Sequence, residues 1–172
     1  MFFFPIGQKS VRYPKYQRSV NFLILKILGS LLLVSACFVT GCIKSKALYR
    51  RREFLENLLV FISLLEKNLR FSGSDIFTLI SASANSDDMR YLIVDSSQTD
   101  KAFSELWNAN VSELPNSLAL KGEDKKLLTD FGSELGKSDL EGQIKHLQLY
   151  QSMFQRQLLS AQNEIAKKSK LY

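Results

Sequence analysis

Apolar residues recur every three or four positions through most of this chain, and the points where that rhythm stops divide it into segments. Leu48, Leu55, Leu58, Leu59, Ile62, Leu65 and Leu69 form one stripe, with Glu53, Glu56, Glu66 and Lys67 off it. That pattern predicts an amphipathic helix running to about Arg70. Phe71-Ser72-Gly73-Ser74 breaks it, and Ser74-Asp75 then caps a short helix through Ser81 that carries Ile76, Phe77, Leu79 and Ile80. Tyr91-Leu92-Ile93-Val94 is too short for pattern alone to separate strand from helix, and its helical neighbours favour helix. Residues 100–110 read as a helix with Phe103, Leu106 and Trp107 on one face. A polar connection around Pro115-Asn116-Ser117 follows, and Gly122-Glu123-Asp124 opens a helix over 125–135.

The last segment, residues 127–172, is the most regular. Gly132 and Gly136 fall four apart at the end of one helix. Ser138 stands where an N-cap belongs, with Glu141 three residues on, the spacing of a capping box. Leu140, Ile144, Leu147, Phe154, Leu158, Ala161 and Ile165 then follow at the three- and four-residue steps of a long helix packing on other helices.

A different pattern occupies residues 20–43, where 24 residues hold a single charge, Lys26. The 17 uncharged residues of 27–43 lie at the short end of what spans a hydrocarbon core. Lys26, near one end, can snorkel to the interface. Basic residues flank both sides: Lys9, Arg12, Lys15 and Arg18 before, and Lys44, Lys46, Arg50, Arg51 and Arg52 after. The positive-inside rule gives a slight push toward a cytoplasmic C-terminal side. Val39-Thr40-Gly41-Cys42, and Val34-Ser35-Ala36-Cys37 before it, also look like bacterial lipoprotein signals. The alternative to a plain membrane helix is therefore an extracytoplasmic lipoprotein with a helical binding domain, lipidated at Cys42 or Cys37. The chain thus divides into a basic tail (1–19), a transmembrane helix (20–43) and a bundle of about five or six helices (44–172), an all-α architecture.

Charge sharpens this division. The formal net charge is +6, yet residues 1–52 hold ten Lys or Arg and no acid, which leaves thirteen basic residues against all seventeen acids in 53–172, a net of −4. Basic residues around an apolar segment indicate a membrane flank and not a nucleic-acid surface. The aromatic residues fall at core spacing without interleaved basic residues, which disfavours a base-stacking platform. Both cysteines lie in the apolar segment, so the rest of the chain has no disulfide or CxxC metal site. His146 is the only histidine, and no Gly-rich phosphate loop is present. Asp130, Glu134, Asp139 and Glu141 cluster near the last interhelical turn, where acids more often answer a helix dipole than perform acid–base work. The reading is a non-enzyme with no cofactor, no metal and no small-molecule substrate.

The series Leu128, Phe131, Gly132, Leu135, Gly136 and Asp139, followed by Gln143 and a helix ending in Lys167-Lys168-Ser169-Lys170, resembles the stage III sporulation protein AB family of endospore-forming bacteria. Leu25-Lys26-Ile27-Leu28-Gly29, the Arg-rich cluster, and Leu65-Glu66 with Leu69-Arg70-Phe71 resemble that family's front end. The likeness covers residues from about 22 to 172, with 85–120 poorly matched. It implies a bundle similar to one cytoplasmic domain of the type II secretion inner-membrane platform protein, and a place in the channel complex joining mother cell and forespore. It implies work by binding neighbours: other sporulation-channel membrane proteins, and a secretion-type ATPase on the mother-cell side. Phe131, Gly132, Leu135, Gly136, Asp139 and Gln143 become the candidate partner-binding residues, and Lys44, Lys46, Arg50, Arg51 and Arg52 the membrane-flanking ones. The family has few residues ahead of its first membrane helix and ends in a second one, whereas residues 1–19 lead here and the sequence stops at Lys170-Leu171-Tyr172. A different start codon, and either a lost C-terminal helix or a single anchor, are the corresponding expectations.

Overall fold

The structure, a computed structural model, describes residues 15–94 and 101–169, with side chains described at 23–36, 46–94 and 101–168. Among the described residues there are six α-helices and one 3-10 turn, and no strand. They are α1 (Lys15–Phe71), α2 (Ile76–Ser83), α3 (Asp87–Arg90), α4 (Phe103–Ser112), the 3-10 turn (Asn116–Leu118), α5 (Gly122–Glu134) and α6 (Leu140–Ser169). The chain forms two compact units, Met1–Ile43 and Lys44–Tyr172.

In the first unit, the described side chains at 23–36 are all exposed, with Leu23 at 61% and Leu33 at 69%. The hydroxyls of Ser30 and Ser35 donate to the carbonyls of Ile27 (2.8 Å) and Leu32 (2.9 Å), so neither is left without a partner in an apolar stretch. Among the described residues no helix is long and apolar enough to cross a membrane. The stretch 23–36 is itself shorter than the roughly 20 residues a spanning helix needs. The expectation for 20–43 rests in part on side chains outside the described residues, as do those for Cys37, Cys42 and Lys44 and for the tail before residue 15.

The second unit is held by one apolar core. Phe54, Leu55, Leu58, Phe61, Ile62 and Leu65 of α1 are buried at helical spacing, facing Leu147, Phe154, Leu158 and Ala161 of α6. The pairing is antiparallel. Gln148 Nε2 donates to Glu66 at 3.0 Å, Gln151 Nε2 to Ser63 Oγ at 3.0 Å, and Arg51 Nη2 to Gln157 Oε1 at 3.1 Å, so numbers rise on α6 as they fall on α1. The shorter helices fill the remaining sides, with Trp107 of α4 and Leu128 and Phe131 of α5 at the centre.

Most predicted boundaries match. α1 ends at Phe71, and Asp75 caps α2 by accepting from the Thr78 N–H at 2.8 Å. Two expectations fail. Residues 91–94 are a turn and an irregular stretch, not a helix: the Leu92 and Ile93 N–H groups bond back to Met89 and Arg90, and Leu92 and Val94 are buried while Tyr91 is exposed. Leu140, expected in the seam of α6, is 52% exposed because it is the first residue of the helix and lies outside the packed region.

Candidate functional site

The turn between α5 and α6 is built by three devices. α5 ends as Leu135 turns extended (ψ 134°), and Gly136 then takes φ +79°, a left-handed conformation that favours glycine. Asp139 starts α6: its Oδ1 accepts the Gly142 N–H at 3.0 Å and its carbonyl accepts the Gln143 N–H at 2.9 Å. Gln143, buried, then ties the turn together. Its Oε1 accepts the Gly136 N–H (3.0 Å), and its Nε2 donates to Ser138 Oγ (2.9 Å) and to the Glu134 carbonyl (3.4 Å). This corrects the expected capping box. With Asp139 as the cap, the N3 position is Gly142, so Glu141 pairs with Lys145 at 2.8 Å instead of reaching back to Ser138.

Behind the turn the motif residues are core. Phe131 sits among Trp107, His146, Tyr150 and Phe154, with ring centroids 5.7, 5.5, 5.5 and 6.1 Å away. His146 stacks on Phe131 and its Nε2 donates to the Phe131 carbonyl at 2.9 Å, since a carbonyl can only accept. The only histidine is thereby a packing residue. Burial raises the Tyr150 hydroxyl's pKa, with Asp130 and Glu134 adding to the effect. Gly132 is the point of closest approach: Trp107 lies where its side chain would be, and Trp107 Nε1 donates to the Leu128 carbonyl at 2.8 Å.

Of the six residues expected to bind a partner, Phe131, Gly132, Leu135 and Gln143 are thus buried, and only Gly136 and Asp139 reach the surface. What the turn presents is a cleft of about 340 Å³ at the tip of the bundle. Leu69, Ser72, Ile76 and Leu79 line one side; Gly136, Ser138, Leu140 and, at its floor, the mostly buried Gln143 line the other, so two of the six candidate residues face the cleft. Phe71, which ends α1, is 82% exposed at this same tip.

The opposite end, the base, is organised by an ion pair. Arg51 and Asp124 are both buried, and Arg51 donates through Nε to Oδ2 (2.7 Å) and through Nη2 to Oδ1 (3.0 Å). Asp124 Oδ2 also accepts the Lys121 N–H at 2.8 Å, and Glu164 joins through Lys121 Nζ and, at 3.6 Å, Arg51 Nη1. The hydrogen bond to Asp124 raises the Arg51 pKa, and Lys121 chiefly lowers that of Glu164. Arg50 bonds Glu53 (2.7 Å) and Asp88 (3.1 Å), and Arg52 bonds Glu56 (2.9 Å). Three of the five flanking basic residues are therefore engaged inside the unit, and Lys46 is exposed. The signal for this pair was in the spacing. Arg51 precedes Phe54, Leu55 and Leu58 by three, four and seven residues, and Asp124 precedes Leu128 and Phe131 by four and seven, so both charges occupy core positions.

The acids near the α5–α6 turn serve the helices: Asp139 caps α6, and Glu134 and Glu141 pair with Lys137 (3.5 Å) and Lys145. Among the described residues, no three His, Cys, Asp or Glu are grouped so as to hold a metal.

The geometry accounts for the spacing of the Leu128–Gln143 series, and a comparison with protein families identifies its source. The family model for stage III sporulation protein AB matches residues 26–172. The chain belongs to the stage III sporulation protein AB family. No curated protein and no solved structure matches it. Membership gives this stage III sporulation protein AB family member a role in sporulation, within a family not known for enzymatic activity. The match includes the whole helical bundle and both glycines of the α5–α6 turn.

Proposed function

We propose that this protein is a non-enzymatic, membrane-anchored component of the sporulation channel complex between mother cell and forespore, with its bundle as a protein–protein interaction module. The carrying observation is the tip, where the exposed Phe71 and Leu140 stand beside a cleft formed by the family's own turn. Burying a large apolar side chain is worth about 1.5–3 kcal/mol, and aromatic anchors dominate protein interfaces. The buried motif residues act through geometry, by setting the turn that holds Leu140, Ser138 and Gly136 at the surface.

The anchor is residues 20–43, which leave the bundle in the cytoplasm on the mother-cell side. Support comes from the exposed apolar side chains on every face of 23–36 and the internally bonded Ser30 and Ser35. The partners are other membrane proteins of the channel and a secretion-type ATPase. The chromosomal double variant Phe71→Asp/Leu140→Asp tests the reading: spore yield should collapse while the variant accumulates in the membrane fraction. Normal spore yield from that strain would overturn the tip as the working surface.

A further inference from the structure

The fold gathers at the base lysines that are far apart in sequence. Arg51 meets Glu164, so in the antiparallel register Lys167 and Lys168 lie level with the residues of α1 just before Tyr49. α5 begins at the same end, through Lys121 and Asp124. Lys46, Lys125, Lys126, Lys167 and Lys168 therefore share the base, and among the described residues none is in an ion pair. The acids around them are taken: Asp124 and Glu164 by Arg51 and Lys121, Glu53 and Asp88 by Arg50, and Glu56 by Arg52. Glu113 and Glu123, on either side of the α4–α5 connection, are exposed acids in no ion pair, and the exposed Asp87 meets Arg90 at 3.7 Å. The tip is the reverse, with Asp75, Asp130, Glu134, Asp139 and Glu141 near it and both Lys137 and Lys145 paired. A unit that is net acidic beyond residue 52 thus concentrates its unpaired lysines at one end.

We infer that the base is a lipid-docking face, whose five lysines bind anionic headgroups of the membrane and hold the bundle against it. The inference rests on the membrane reading of residues 20–43, which ends three residues before Lys46. Lysine suits this task, since a mobile ammonium needs no fixed partner geometry. A protein partner would be met by several arginine forks and aromatic anchors, but Arg50, Arg51 and Arg52 are engaged within the unit, which leaves Arg156 as the one exposed arginine beside these lysines. Nucleic acid would call for several aromatic residues among the lysines, whereas among the described residues Tyr49, three residues after Lys46, is the one exposed aromatic beside them.

The test uses the full chain with two kinds of vesicle, phosphatidylcholine alone and phosphatidylcholine with phosphatidylglycerol, read by flotation and by acetylation of each lysine. Flotation with both, and acetylation of Lys126, Lys167 and Lys168 several-fold slower on the anionic vesicles while Lys67 and Lys145 are unchanged, is the expected result. Flotation with anionic vesicles only, reversed by salt, would keep the lipid-docking face and remove the membrane span. Flotation with both but equal acetylation of the base lysines would keep the span and overturn the docking face. Flotation with neither overturns both. In the salt-reversible case the triple variant Lys126→Gln/Lys167→Gln/Lys168→Gln should weaken binding on the order of a hundredfold, about fivefold per lysine. Protection of these lysines by a captured acidic protein on neutral vesicles would also overturn the lipid assignment.

Discussion

The indole of Trp107 occupies the space a side chain at Gly132 would need: a Cβ there would lie 2.0 Å from Trp107 Cδ1. Trp107 is fully buried and tied by Nε1 to the Leu128 carbonyl one turn earlier on α5, so it has nowhere to retreat. Helix α4 can approach α5 this closely because Gly132 offers bare backbone.

Gly132→Ala should therefore destabilise the protein, although alanine is the better helix former by about 1 kcal/mol. Overpacking costs about 1–3 kcal/mol, and the contact here is severe enough to place the change at or above the top of that range. Denaturant unfolding checks this. Adding Trp107→Leu to Gly132→Ala should cost less than the two single changes summed, which a double-mutant cycle measures.

Arg51→Met and Asp124→Leu should each cost about 3–5 kcal/mol, because each leaves a buried charge without its counter-ion. The double replacement should be far milder than the sum of the two singles, since it removes both charges together. Thermal unfolding of the three variants separates these outcomes. A double variant as unstable as the summed singles would show that the two residues contribute independently, and that the singles do not lose stability by leaving a charge unpaired.

Gln143→Ala should loosen the α5–α6 turn by about 1–3 kcal/mol by leaving the Gly136 N–H without its partner. Gly136→Ala should cost about 1–2 kcal/mol, because its φ is +79°. Ser138→Ala should do much less, since Asp139 and not Ser138 caps α6. Amide exchange at residues 136–143 would rank the three.

Acid should weaken the bundle through Glu66 and Glu164, both of whose carboxyl pKa values are lowered, by Arg70 and by Lys121 respectively. A carboxyl depressed in the folded state contributes stability that is fully present above its unfolded pKa, about 4.3. That contribution disappears as pH falls through the folded value. Glu164→Gln should lower stability modestly at neutral pH, by under about 1 kcal/mol for a partly exposed pair. It should also reduce the loss between pH 5 and pH 3, and unfolding curves at the two ends of that window test the sign.

How far these relationships could be read from sequence differed by residue. The amphipathic faces of α1 and α6, the break at Phe71 and the cap at Asp75 were legible, because each depends on local spacing. The start of α6 was legible only to within one residue. Ser138 and Asp139 are both good caps, and the choice falls to Asp139 because Gln143, five residues on from Ser138, engages the serine hydroxyl. The run 91–94 misled because Leu92 and Val94 reach the core from a turn and an irregular stretch, which only tertiary packing reveals. The tip cleft was not legible at all. It combines the α1–α2 connection with the α5–α6 turn, more than sixty residues away, and only the antiparallel return of α6 along α1 brings the two to one end.

The central claim is that the tip, not the buried motif, meets the partner. The most direct measurement places a photo-crosslinking amino acid at Phe71, Leu140 or, as a control, the exposed Leu159 of α6, in full-length protein in sporulating cells. Adducts containing a membrane protein of the sporulation channel or its ATPase are expected from positions 71 and 140, and none from position 159. No adduct at 71 and 140, or the same adduct from 159 alone, would contradict that claim.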